Sequence, residues 1–241
     1  MTNGKWQMAN GKWLAISRFS TFCLLLAAYC LLPSLAAAQD VVDKTVATVN
    51  AGGQTDCSDC LITYSDVLWQ LALQPESQLA NPSSESLNTV LRLIEDQRLI
   101  LQEAKKLPTI SPTEKEISDA RDELARHFSS QAELQQRMRQ VGLTSEKLYE
   151  IVEQRVRIEK YLDFRFRSFI VIAQKDVGDY YRETWVPKFQ SKYPARIVPK
   201  LEDARSEIEK ILTESKIDSD IDSFLDAARD RAEIVILNPV G

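Results

Sequence analysis

The sequence predicts a mostly α-helical fold with a small β-sheet, and three observations predict it. From Thr63 to Ala228 apolar residues recur mainly at helical spacing, punctuated by cap residues and prolines. β-rich strings stand only near the two ends, at Val42 to Asn50 with Leu61 to Thr63, and at Ala232 to Leu237. A lone terminal strand leaves its backbone groups unpaired, so the last strand is expected to pair with the first.

Ahead of these elements, residues 1–38 have the layout of a secretory signal peptide. Lys5, Lys12 and Arg18 precede the apolar run Phe19 to Leu32, and Ala36-Ala37-Ala38 supplies an A-x-A end. Cleavage after Ala38 and a location outside the cytoplasm follow as expectations. The competing reading is an uncleaved anchor. Against it, Arg18 interrupts the run and Pro33 ends it, while a spanning helix needs about 20 apolar residues. Tyr29 before Cys30 argues against a lipid anchor, and no stable membrane insertion is expected after cleavage.

Loss of the leader leaves 27 basic against 35 acidic residues, a net charge of −8. Such a surface is a poor match for nucleic acid, whose binding requires clustered Lys and Arg. Five glycines remain, and the pair Gly52-Gly53 leads into Gln54-Thr55-Asp56-Cys57 rather than a helix. A glycine-rich phosphate cradle is therefore not expected.

The elements follow in order. Val42 to Asn50, the Gly52-Gly53 turn and Leu61 to Thr63 read as a hairpin. Thr63-Tyr64-Ser65-Asp66 starts a helix that runs to about Gln74 and stops at Pro75. Ser83 or Ser84 caps a long helix bearing Leu87, Val90, Leu91, Ile94, Leu101 and Ala104. Ser111-Pro112-Thr113-Glu114 reads as a capping box with Ser111 at the cap and proline at the first helical position. Ser130 with Glu133 repeats the cap pattern, and Gly142 fits a helix end.

Thr144 opens the longest expected helix, to about Phe169, with Leu148, Ile151, Val152, Ile158 and Leu162 on one face and Arg155 its single polar member. Phe169 to Ala173 separates it from Asp176 to Phe189, whose Tyr180, Tyr181, Trp185 and Phe189 form an aromatic stripe. Pro187, Pro194 and Pro199 bracket a connector; an amphipathic helix (Leu201, Ile208, Ile211, Leu212) and a second short one (Ile221, Phe224, Leu225, Ala228) precede the last strand.

Chemistry is sparse. Cys57 and Cys60 form a C-x-x-C pair open to three readings: a structural disulfide or paired thiols, a redox dithiol, or half a metal site. The strand-like Leu61-Ile62-Thr63 that follows argues against a redox helix start, and a single histidine, His127, argues against zinc; a disulfide would close a loop so small that it adds only about 2 kcal/mol. No G-x-S-x-G elbow or H-E-x-x-H motif occurs, so neither an enzyme nor a cofactor is expected. Aromatic residues in polar company stand out instead. Trp69, Phe164, Phe166, Tyr180, Tyr181, Trp185 and Phe189 are the candidate contacts for other polypeptides, with core packing as the competing role.

Several strings carry a family resemblance. Asp43-Lys44-Thr45-Val46-Ala47-Thr48-Val49-Asn50, resumed at Leu61 to Val67, resembles the first strands and helix of the SurA-type periplasmic chaperones, with their trigger-factor-like fold. Leu162 to Val171 leading into Val177-Gly178-Asp179-Tyr180-Tyr181, and the ending Ala228 to Ile234, resemble later parts of the same framework. Two departures matter. Gly52 to Cys60 lengthens the first turn, and only Tyr193 to Pro199 stands where that family commonly carries a parvulin prolyl isomerase domain.

The resemblance implies a periplasmic chaperone core without the isomerase, binding unfolded or partly folded envelope polypeptides. Its expected divisions are a leader (1–38), a SurA N-terminal-like helical domain (39–192), and C-terminal helices with a strand that fold back on the hairpin (193–241). An isomerase or thiol-redox role is the alternative from another class.

Overall fold

A computed structural model of the chain describes residues 43–52 and 59–240. The expected leader and Cys57 lie outside the described residues. From Asp43 onward the chain forms one compact unit. It is mostly helical, with a small three-stranded antiparallel sheet.

The sheet joins the two ends of this unit. Strand β1 (Thr45–Asn50) lies between β2 (Leu61–Thr63) and β3 (Glu233–Ile236). In β1 and β3, Ala47 faces Ile236 and Asn50 faces Glu233, in antiparallel register. The chain then stays attached: the amides of Leu237 and Asn238 both donate to Val46 O, and Asn238 Nδ2 donates to Thr45 O at 2.7 Å. Val46, Ala47 and Val49 are fully buried, as a central strand beneath helices requires.

Eight α-helical segments are described: α1 (Tyr64–Ala72), α2 (Ser84–Lys105), α3 (Glu114–Arg126), α4 (Gln131–Gln140), α5 (Ser145–Arg165), α6 (Gln174–Tyr180), α7 (Val186–Lys192) and α8 (Leu201–Arg231). Their starts follow local chemistry. Thr63 and Asp66 form a reciprocal capping box on α1, and Ser83, Ser130 and Thr144 cap α2, α4 and α5. At the end of α4, Gly142 takes φ 66°, while Leu143 N donates to Met138 O and Gly142 N to Arg139 O. That is a Schellman closure, which needs a residue at ease in the left-handed region.

Four expectations require correction. The cap of α3 is Thr113, not Ser111: Thr113 Oγ1 accepts from Glu116 N, and Glu116 Oε2 accepts from Thr113 N at 2.7 Å. The Ser111 hydroxyl instead donates to Pro108 O, closing the 3-10 turn Pro108–Ile110. Likewise α5 stops at Arg165, and a separate 3-10 turn, Arg167–Phe169, follows it.

Pro187 lies inside a helical run rather than in a connector. It occupies the first turn of α7, directly after a π turn at Tyr181–Trp185 that continues α6. Proline has no amide proton for the residue four before it and its ring crowds that carbonyl, so a widened turn ahead of Pro187 is a physical solution.

Finally, the two expected C-terminal helices are one. Helix α8 spans 31 residues, about 46 Å at 1.5 Å per residue. Nothing between Leu212 and Ile221 breaks it: the stretch lacks Gly and Pro, Ile217 is buried in its middle, and Lys216 pairs with Asp220 one turn on.

Four apolar cores line up along these helices. The first joins the sheet, α1, α2, Ala228 and Val240; the second joins α3, α4 and the first half of α5. A third gathers Ile100, Ala104, Ile110, Tyr161 and Leu225, and the fourth packs α6, the π turn and α7 on Ala204 and Ile208 of α8. Helix α8 thus contributes to three of the four. Polar groups secure the seams: Arg229 donates to Asp96 Oδ1 at 2.7 Å, tying α8 to α2, and buried Gln102 bonds both Ala51 N and Val49 O at the end of β1.

Candidate functional site

Helices α3, α4 and α5 leave a groove of ≈ 1140 Å³ between them. Its floor consists of Leu134 and Met138, one turn apart on α4, and Leu148 of α5. All three are buried members of the second core, together with Ile117, Phe128 and Val152, so the groove borders that core. Tyr149 rises from α5 as a wall, 39 % exposed, and its hydroxyl donates to Glu114 Oε1 at 2.8 Å across to α3. That bond favours the neutral phenol and pushes its pKa up.

The rim is charged on both sides. The α3 edge carries Arg121, Asp122 and Arg126, with Arg121 3.5 Å from Asp122, while the α5 edge carries Glu146 and Glu150. Arg126 is bonded to Glu123, and Glu150 accepts from Lys147 at 2.5 Å, so part of each edge is already neutralised. What remains is an apolar trough with a mixed-charge margin on α3 and an acidic one on α5. Methionine in the floor suits occupants of varied shape, because its unbranched thioether repacks readily.

The structure disperses the aromatic candidates rather than gathering them at one surface. Trp69 is half-buried on the second core, donates from Nε1 to Val141 O at 3.1 Å, and lies under Lys147. Tyr181, Trp185 and Phe189 stack one above the next, with centroids 5.8 and 5.0 Å apart, and Tyr193 continues the column. Tyr180 is half-buried in the same lobe. Trp185 is buried there, and Tyr181 Oη donates to Pro199 O at 2.7 Å.

Phe166 meets Phe224 edge-on beneath Arg165. Phe164 alone of the seven is exposed to half its surface. It is followed by Phe169, Val171 and Ile197, which are 74 %, 84 % and 94 % exposed.

The pattern of Leu134, Met138 and Leu148 reads in sequence as ordinary core spacing, and Tyr149 carries no mark beyond lying next to that stripe. Only the gap left between α3 and α4 turns them into a surface.

Elsewhere, reactive groups are scattered. His127 caps the end of α3 in solvent, with Nε2 3.9 Å from Glu123. Cys60 is disulfide-bonded, 8 % exposed, and lies 3.8 Å from Gln102 Nε2. Among the described residues no three His, Cys, Asp or Glu side chains are grouped to hold a metal, and no helix is long and apolar enough to cross a membrane. Comparison with protein-family models gives no match, and comparison with curated proteins gives none either.

Proposed function

We propose that the chain is an exported, non-catalytic chaperone-like protein that holds unfolded or partly folded polypeptides by their apolar segments. The observation that carries this reading is the α3–α4–α5 groove. At ≈ 1140 Å³ it exceeds the roughly 300–1,000 Å³ of pockets that enclose small molecules. An apolar floor between charged margins suits an amphipathic polypeptide segment laid into it. The exposed side chains of Phe164, Phe169 and Val171 offer further apolar surface, and the SurA-like strings supply the framework. A net charge of −8 after removal of the leader would keep the loaded complex soluble.

The test measures two activities on one preparation. The protein should suppress aggregation of an unfolded client and should not accelerate prolyl isomerization, whose barrier of about 18–20 kcal/mol requires a positioned site. Tyr149→Glu, which places a charge on the groove wall without touching a buried residue, should weaken suppression about fivefold or more while circular dichroism stays unchanged. Isomerase turnover would overturn the non-catalytic reading. Capture of one stoichiometric partner without suppression would favour a fixed complex. Export is checked separately: N-terminal sequencing of the envelope-derived protein should begin at Gln39, and an intact Met1 form would show a retained leader.

A further inference from the structure

A recess between α1, α2 and α5 holds two arginines, Arg98 and Arg155, and one carboxylate, Asp66. It shares no lining residue with the α3–α4–α5 groove, so it stands apart from client binding as read above. Both arginines are short of acceptors. Arg98 Nη1 donates to Gln154 Oε1 at 3.1 Å, its Nη2 lies 3.8 Å from Asp66, and its buried Nε has no partner among the described residues. Arg155 donates once, from Nη2 to Gln70 Oε1 at 2.8 Å. Each guanidinium carries five N–H donors and cannot shed its charge.

Asp66 is a poor counter-ion for the pair. Its Oδ2 already accepts from Thr63 N at 2.9 Å in the α1 capping box. The glutamines offer oxygen but no charge. The recess is therefore left with one positive charge in excess, in a place where burial alone pulls the Arg155 pKa down. Water would satisfy donors there without neutralising anything, whereas an uncompensated buried charge is costly. The cavity of ≈ 40 Å³ is larger than the ~10–15 Å³ a water needs and can admit a planar two-oxygen head.

We propose that this recess is a carboxylate-binding site, in which Arg98 and Arg155 clasp the two oxygens of one carboxylate and Gln70 and Gln154 hold the guanidiniums in place. Arginine forks match carboxylates in a bidentate manner, which sets this ligand class apart from a simple halide. The recess adjoins the cleft between α5 and α8, sharing Gln97, Arg155 and Ile158 with it. That cleft carries Glu159, Asp163, Glu214 and Asp218 against Arg167. A free anion would cross this acidic margin unaided, while a carboxylate on a polypeptide would arrive with attached contacts. Both sources share the same head group.

Titration calorimetry at constant ionic strength separates them. The probes are sodium acetate, inorganic phosphate, and an acetylated alanine peptide with either a free or an amidated C-terminus. The full chain should bind acetate or the free-acid peptide, and not the amide. Arg155→Gln should weaken that binding about tenfold or more, as loss of a charge-assisted bond implies. Should this variant not fold, Arg155→Lys keeps the charge, removes the fork and should also bind more weakly.

Binding of acetate points to a small free carboxylate, and binding of the free-acid peptide alone points to a polypeptide source. Binding of phosphate alone, equal affinity in the variants, or no binding of either carboxylate probe overturns the proposal.

Discussion

At the sheet end, Thr48 pairs with Val235 and Val46 O takes two amides from residues 237 and 238, so the first and last described elements hold each other. In the aromatic lobe, Trp185 stacks on Tyr181 and Phe189, one helical turn to either side, and rests on Ala204 and Ile208 of the next helix. One region is closed by contacts that span nearly the whole compact unit; the other is assembled from a single stretch of chain. The long-range closure pays a large loop entropy before any strand bond forms, whereas the lobe's contacts need little closure. The sheet end should therefore open as one cooperative piece, and the lobe should tolerate damage locally.

The strongest way to break this comparison is to remove the chain after Arg231. That deletion takes away β3, the Asn238 bond to Thr45, Val240 from the first core and the Asn88 Nδ2 bond to Val240 O. Hydrogen exchange should lose its protection across Val46 to Val49, while amides around Trp185 keep theirs. Unchanged exchange at Val46 to Val49 would show that β1 is held without its partner.

Trp185→Ala is the converse experiment. Emptying a buried tryptophan site costs about 3–5 kcal/mol. Chemical denaturation should report that loss in the lobe, with exchange at Val46 to Val49 little changed at low denaturant. A matching collapse of protection in β1 would mean that α8 transmits the damage along its length.

How much of this was legible depends on range. The caps at Thr63, Ser83, Ser130 and Thr144, and the glycine closure at Gly142, are local, and the side chains that make them stand within a few residues of the backbone groups they satisfy. Pairing of the two ends was legible for another reason: a strand with no neighbour has nowhere else to place its hydrogen bonds.

What stayed hidden depends on contacts that sequence spacing does not encode. The break expected within α8 came from reading two apolar clusters as two helices, but the clusters face different cores, and Ile217 links them on one unbroken helix. Ser111 and Thr113 both offer a cap, and only the turn at Pro108–Ile110, which uses the Ser111 hydroxyl, decides between them. The groove, too, is a space left between α3 and α4 rather than a property of any one string.

A third mode of closure uses a single side chain. Arg137 of α4 reaches the carbonyls at the end of α1, donating to Ala72 O at 2.9 Å, Leu71 O at 3.3 Å, Gln74 O at 2.7 Å and Ser77 O at 2.9 Å. One guanidinium thus gathers the carbonyls at the end of α1 and in the turns after it, two of which, Leu71 O and Gln74 O, also accept the amides of Gln74 and Ser77. Arg137→Ala should cost about 2 kcal/mol, in the range of charge-assisted bonds to partly buried acceptors. Arg137→Lys should recover little, because a single ammonium cannot serve four carbonyls spread around a fork. Equal stability of the two variants and the parent would show that water closes this end as well as arginine does.

The smallest effect is electrostatic and sits on the seam between α3 and α5. Glu116 completes the Thr113 capping box and accepts from Lys160 Nζ at 2.7 Å. The Lys160 bond, then the Thr113 bonds, lower its pKa from 4.5 to about 2. The folded state therefore binds this proton more weakly than the unfolded chain, so the contribution to stability is complete above about pH 4.5 and is lost as the pH falls towards 2. Glu116→Gln keeps an acceptor for the cap but removes the charge, and should flatten the acid limb of the stability curve in that window. Because the pair is exposed to solvent, added salt should shrink the difference between parent and variant. Exchange at Val46 to Val49 should follow the same pH course in both, since neither residue touches the sheet. A variant whose acid limb matched the parent's at low salt would show that the seam between α3 and α5 rests on apolar contacts such as Ile117 with Val152, and that the ion pair only decorates it.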